Sequence, residues 1–145
     1  MSFSIWHDYG YGIQTDAIHT DLPRLMQLIG MAPEYEKGIR DFFSECAIVE
    51  PTFDDYMELE NDEGVHGLAQ ILREVIVECE DMDFLAIEDC NSVSYLVFSA
   101  AYPWSYSEKE RGYTEQFIEE VLRRYVSVLT DEAIDIGYQS VENCG

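Results

Sequence analysis

Residues 84–99, Phe-Leu-Ala-Ile-Glu-Asp-Cys-Asn-Ser-Val-Ser-Tyr-Leu-Val-Phe-Ser, set two apolar runs on either side of a polar connection at 88–92. The runs are rich in β-branched and aromatic residues, and Glu88-Asp89-Cys90-Asn91-Ser92 supplies turn-forming side chains. The stretch therefore reads as an antiparallel hairpin with strands at 84–87 and 93–99. Just before it, positions 65, 68, 69, 72, 75, 76 and 79 are apolar at helical spacing. Gln70, Arg73, Glu74 and Glu78 take the opposite face, so the spacing predicts a helix over 65–79. Beyond the hairpin, Thr114 is placed to cap a helix whose buried face is Phe117, Ile118, Val121, Leu122, Tyr125, Val128 and Leu129. Glu119–Arg123 and Glu120–Arg124 are spaced to pair along it. Ile134, Ile136 and Tyr138 suggest a last strand over 133–141.

Toward the N-terminus, residues 2–6 alternate as a strand does, and Tyr9-Gly10-Tyr11-Gly12-Ile13 is either a second short strand or an aromatic loop. Asp21 followed by Pro23 starts a helix with Leu22, Leu25, Met26, Leu28 and Ile29 as its apolar face. Pro33 opens another, in which Glu34 and Glu36 favour the positive end of the macrodipole and Tyr35, Ile39, Phe42, Phe43 and Cys46 form the buried stripe. Thr52 and Asp55 make a capping pair for a short helix at 53–59, before a polar loop at 60–64. The pattern is one α+β domain over 1–145: an antiparallel sheet of three to four strands packed against four to five helices.

Composition narrows the functional classes. With 47% hydrophobic and 13% aromatic residues in 145, the chain is no acidic disordered tail. A chain of this length buries about 70% of its unfolded surface. Eight Lys and Arg face thirty Asp and Glu, a formal net charge of -22. From Asp41 to Glu108 seventeen acids stand against one base, Arg73. The other bases collect at 24–40 and 109–124, whereas a coat serving only solubility would cover the whole surface. The imbalance points to a cationic partner and away from direct contact with nucleic acid or anionic membrane. The start, Met-Ser-Phe-Ser-Ile-Trp-His-Asp, has neither a basic region nor a long apolar stretch, so the expected compartment is the cytoplasm. No run reaches the roughly 18 apolar residues that span a bilayer. Cys46, Cys79, Cys90 and Cys144 form no Cys-x-x-Cys pair and read as buried free thiols.

Chemical motifs are absent. Asp81-x-Asp83 and Asn61-Asp62-Glu63-Gly64 cluster oxygen ligands, but no window satisfies a calcium loop. His7, His19 and His66 lack the His-Glu-x-x-His spacing, and there is no Gly-x-Ser-x-Gly elbow. Gly10-Tyr11-Gly12 reads as an aromatic turn. The expectation is a protein that is not an enzyme and uses no metal or cofactor.

The acidic segments offer a mechanism that fits the whole molecule. Asp54, Asp55, Glu58, Glu60, Asp62 and Glu63 lie on a short helix and loop at about the charge density of a phosphate ladder. A second set, Glu74, Glu78, Glu80, Asp81, Asp83, Glu88 and Asp89, runs from the end of the long helix into the hairpin. Glu78, Glu80 and Asp81 sit where the macrodipole disfavours them, so the stability of their own helix does not explain them. Tyr102-Pro103-Trp104-Ser105-Tyr106 offers the aromatic anchors that dominate interfaces, with Tyr102 and Trp104 as the candidates.

Ala101-Tyr102-Pro103-Trp104, Glu110-Arg111, Thr114-Glu115, residues 125–132 and Tyr138-Gln139-Ser140-Val141-Glu142-Asn143 resemble a group of small acidic proteins of bacterial mobile elements. Trp6-His7-x-Tyr9-Gly10-Tyr11-Gly12 extends the resemblance loosely. It implies a setting among mobile elements and no active-site residues. By analogy of class, small acidic inhibitors from such elements include anti-CRISPR proteins that occupy the nucleic-acid channel of an RNA-guided nuclease. The expected function is a noncatalytic nucleic-acid mimic that binds a basic nucleic-acid-binding protein in a bacterial host. The alternatives are an immunity or antitoxin protein that neutralises a basic toxin, and an acidic accessory protein.

Overall fold

A computed structural model of the protein describes residues 5–59, 65–98 and 113–144, with side chains over 10–59, 65–98 and 113–141. The element order is β1 (Ile5–Gln14), a 3-10 turn (Thr15–Ala17), α1 (Leu22–Ile29), α2 (Pro33–Glu45), α3 (Phe53–Met57) and α4 (Leu68–Glu80). It continues with β2 (Leu85–Glu88), β3 (Ser94–Phe98), α5 (Glu115–Leu129) and β4 (Gly137–Cys144). The four strands form one antiparallel sheet in the order β2-β3-β1-β4. The fold is therefore α+β, as the sequence predicts.

The hairpin forms where expected, with Leu85 opposite Val97 and Glu88 opposite Ser94. Asp89 builds its turn. One carboxylate oxygen accepts the Asn91 and Val93 N–H groups at 2.8 and 3.0 Å, and Ser92 takes a left-handed φ of 64°. An Asp side chain that satisfies backbone N–H groups ahead of it substitutes for a tighter turn type.

β1 is one continuous strand where two pieces were expected. Its C-terminal part pairs with β3 and its length from Ile5 to Gly12 pairs with β4. Glycine permits this course, because a Cβ on Gly12 would collide with the Leu96 carbonyl and one on Gly10 would lie 2.7 Å from Val97 Cβ. Tyr9-Gly10-Tyr11-Gly12 is thus a strand pressed against its neighbour instead of a turn.

The core gathers Leu72, Val75 and Ile76 of α4 and Val121, Leu122, Tyr125 and Leu129 of α5 over Phe84, Leu96 and Phe98. Phe84 and Phe98 meet edge to face at 5.7 Å. Full burial of each large apolar side chain contributes about 1.5–3 kcal/mol. The predicted caps are present: Asp21 accepts the Arg24 N–H at 3.0 Å, and Thr114 accepts that of Phe117 at 3.1 Å. Thr52 and Asp55 form a reciprocal capping box.

Several boundaries and exposures depart from expectation. α3 ends at Met57, and α4 starts at Leu68 because Gly67 holds a φ of 83° that the helix cannot include. β4 begins at Gly137; Ile134 reaches the core from the preceding loop. Met26, Phe42 and Cys46 are exposed, because the neighbouring elements cover only the Leu25–Leu28–Ile29 and Ile39–Phe43 sides of their helices. Gln70 is buried and donates to Glu74 instead of facing solvent. Glu119 pairs with Arg123 at 2.7 Å, but Arg124 turns away from Glu120 to reach Glu80. Three of the cysteines are not buried free thiols: Cys46 and Cys79 are free and exposed, and Cys90 is disulfide-bonded, while the Cys144 side chain lies outside those described. Disulfides persist in oxidising compartments and are rare in the cytosol, so the cysteines do not argue for a cytoplasmic setting. No helix among the described residues is long and apolar enough to cross a membrane.

Candidate partner-binding surface

The acidic side chains divide by what they touch. On the α4 side most are held inside the fold. α2 begins at Pro33 behind Ala32, which has no side chain able to cap it, and its first N–H groups need an acceptor. Glu78 supplies one from α4: its two oxygens accept the Glu34 and Tyr35 N–H groups at 3.2 and 2.9 Å. A carboxylate unfavourable at the end of its own helix is thereby placed at the positive end of another.

Glu80 is held by side chains of α5 instead. It accepts hydrogen bonds from the Arg124 guanidinium and, at 2.7 Å, from the Tyr125 hydroxyl. Burial, with help from the Glu80 hydrogen bond, pushes the Tyr125 phenol well above its ordinary value. Asp83 accepts from Arg73 at 3.1 Å, and Arg73 also donates through Nε to the Phe84 carbonyl at 3.0 Å. Glu74 takes Gln70 and lies 3.6 Å from Arg73. Glu88 lies 3.4 Å from His66 Nδ1. Asp89 serves the hairpin turn, and burial together with its charge raises the Tyr95 phenol. Asp81 ends α4 in a left-handed conformation with a φ of 55°.

The α2–α3 side is different. Asp41, Glu45, Glu50, Asp54 and Glu58 are all exposed. Among the described residues their side chains have no hydrogen-bond donor and no base within ion-pair reach. Asp55 and Glu36 differ: the Asp55 carboxylate accepts the Thr52 N–H at 2.8 Å, and Glu36 lies 3.7 Å from Arg40.

A tight turn separates α2 from α3. Ala47 adopts a φ of 58°, its N–H donates to Ser44 O at 3.1 Å and the Ile48 N–H to Phe43 O at 2.9 Å. This is the Schellman pairing that usually ends on glycine. The turn throws Val49 out of the protein, 91% exposed, beyond the half-exposed Phe42.

Of the residues predicted from sequence, Asp54 and Glu58 thus fall on an open surface, while Asp55, Glu78, Glu80 and Asp83 are engaged by the fold. Glu60, Asp62, Glu63, Tyr102 and Trp104 lie outside the described residues. Sequence reasoning missed Phe42 and Val49, which it read as core or passed over, and did not single out Asp41, Glu45 and Glu50. The signal available was the absence of any base between Arg40 and Arg73.

A second feature is a groove of about 410 Å³ lined by Thr15, Asp16, His66, Glu88, Ser92 and Ser94 among others. Asp16 accepts the Ser94 N–H at 3.3 Å and Thr15 donates to Ser94 O at 3.1 Å. Both groups are therefore used in holding the hairpin. His66 faces Glu88 across the groove, Nδ1 to carboxylate at 3.4 Å.

No family model matches the chain, nor does any curated protein or solved structure.

Proposed function

We propose that the protein is a noncatalytic acidic inhibitor that docks on the basic nucleic-acid-binding surface of another protein, with an RNA-guided defence nuclease as its first target. The observation that supports this reading is the band of unpartnered carboxylates over α2, the loop after it and α3. Duplex DNA offers one negative charge per roughly 1.7 Å of axis, and proteins that bind it draw much of their affinity from neutralising those charges. Carboxylates fixed on helices offer a similar field without the ordering entropy of a flexible acidic tail. Their mutual repulsion in the free protein is relieved when a cationic surface meets them. Association on this basis is fast and falls with salt.

The test is competition between the purified protein and duplex DNA or guide RNA for type II CRISPR effectors, at physiological and raised salt. The expected result is displacement that weakens with salt. It should also weaken when Glu58, Glu60, Asp62 and Glu63 are reversed to Lys; unchanged inhibition by that variant removes this segment from the interface. Such nucleases act in the bacterial cytoplasm, so binding is to be measured with Cys90 oxidised and reduced. No binding across several effectors overturns the inhibitor reading. The second reading, an immunity protein for a basic toxin, is favoured by Phe42 and Val49 standing exposed within the acidic band, since cognate protein interfaces centre on apolar anchors.

A further inference from the structure

α2 carries a residue that its own fold does not explain. Gly38 lies in the interior of a 13-residue helix, and a Cβ built on it would meet nothing within 4 Å among the described residues. Glycine there destabilises the helix by about 0.5–1 kcal/mol relative to alanine, and among the described residues neither packing nor backbone geometry requires it. At about 100° per residue, Glu34, Gly38, Asp41 and Glu45 fall on the side of α2 away from the buried Ile39 and Phe43, and Phe42 lies at the edge of that side, next to the buried stripe. Phe42 is 49% exposed on that side, tilted against Phe43 at a centroid distance of 5.9 Å. The carboxylates of Glu34, Asp41 and Glu45 have no hydrogen bond or ion pair among the described residues. Lys37 lies at the margin of this face, and Arg40 is turned to Glu36 at 3.7 Å.

We propose that this face of α2 is the centre of the docking surface and receives a basic amphipathic helix of a partner protein. Gly38 admits close approach of the partner's backbone, Phe42 is the anchor, and Glu34, Asp41 and Glu45 meet its Lys and Arg side chains. The proposal rests on the acidic-docking reading above and gives it a location. Charge complementarity selects the occupant: a second copy of this chain, itself at -22, would bring acid against acid. Small residues allow helices to approach closely, and aromatic anchors inside a charged rim dominate interface energetics.

Cys46, one turn beyond Phe42, is free and exposed and so reports occupancy of the face. The experiment uses the 145-residue chain with Cys79→Ser. It measures binding, by fluorescence anisotropy, of a Lys/Arg-rich helical peptide with one Leu/Phe ridge, against a peptide of equal charge whose ridge is Gln and Ser. Alkylation of Cys46 is followed in parallel. The expected result is preference for the ridged peptide, slowed alkylation in its presence and about tenfold weaker binding by Phe42→Ala. Gly38→Ala separates docking from folding, because it should raise Tm by about 3 °C while weakening binding severalfold.

Salt-sensitive binding of both peptides alike, unmoved by Phe42→Ala and Gly38→Ala, overturns the proposal and leaves acidic docking standing. Failure of the ridged peptide to bind at low salt also overturns it, and competition on the effectors then decides the broader reading separately. Alkylation of Cys46 that slows as the protein's own concentration rises, without peptide, assigns the face to a second copy and overturns it as well.

Discussion

Glu78 and Glu58 are both exposed glutamates at the ends of helices in a chain of net charge -22, yet they do opposite things. Glu78 closes the open N-terminus of α2 from 44 positions away, whereas Glu58 touches no donor among the described residues. Extended to their surroundings, the contrast separates an acidic region that assembles helices from one that only repels. Carboxylates on the α4 side replace cap residues and core contacts that other sequences would supply locally. On α2–α3, the side chains of Asp41, Glu45, Glu50, Asp54 and Glu58 make no hydrogen bond or ion pair among the described residues, which is why they stand as the candidate for an external role.

The contrast breaks most sharply at Glu80. Its replacement by Ala should destabilise the protein by about 2 kcal/mol in denaturant unfolding, since the buried Tyr125 hydroxyl and Arg124 both lose their acceptor. A loss within 0.5 kcal/mol, roughly the range of ordinary surface substitutions, would erase the distinction. Glu78→Ala should cost about 1 kcal/mol, as loss of a helix cap does, and the increase in amide exchange should concentrate in the first turn of α2.

High pH sharpens the comparison further. Burial raises the Tyr35 and Tyr125 phenols, and neighbouring Glu74 and Glu80 add to the effect. Because the folded values lie above the unfolded one, their contribution is full below about pH 10. It is lost as pH rises from there through the folded values. The decline is at most about 1.4 kcal/mol per pH unit for each phenol. Urea unfolding between pH 8 and 11 should show that fall, reduced in Tyr35→Phe. The smallest effect is expected on the other side. Asp54→Asn and Glu58→Gln should each change stability by less than about 0.5 kcal/mol, with a gain at low salt that disappears as salt is added.

Local rules were enough for the elements whose determinants are neighbours in sequence. The Asp89 turn, the Thr52–Asp55 box and the caps at Asp21 and Thr114 all act within a few residues, and each is visible in composition and spacing. Long-range partnerships were not legible. Arg124 has a glutamate at helical spacing in Glu120 and takes Glu80 instead, because the packing of α4 on α5 delivers a better acceptor. For the same reason the sequence could note that Glu78, Glu80 and Asp81 are badly placed for their own helix, but not that Glu78 serves another. Phe42 misled because the apolar positions of α2 span a wider arc than its neighbours cover. Among the described residues of the candidate site, Asp54 and Glu58 stand open on the surface and Asp81 is exposed at the end of α4, while Phe42 and Val49 are exposed beside the acidic band.

The central position of β1 also orders events in time. Its pairing with β4 sets Ile5 opposite Cys144, and the Gln139 side chain donates to the Gly12 carbonyl across 127 positions. Closing so long a span is entropically late compared with the hairpin or the helices. During synthesis on the ribosome, β1 therefore emerges first and waits with one edge open until β4 follows. In that interval an unpaired strand invites pairing with other chains. The dense negative charge already present on the nascent segment keeps such chains apart, so that repulsion guards the protein while its sheet is incomplete.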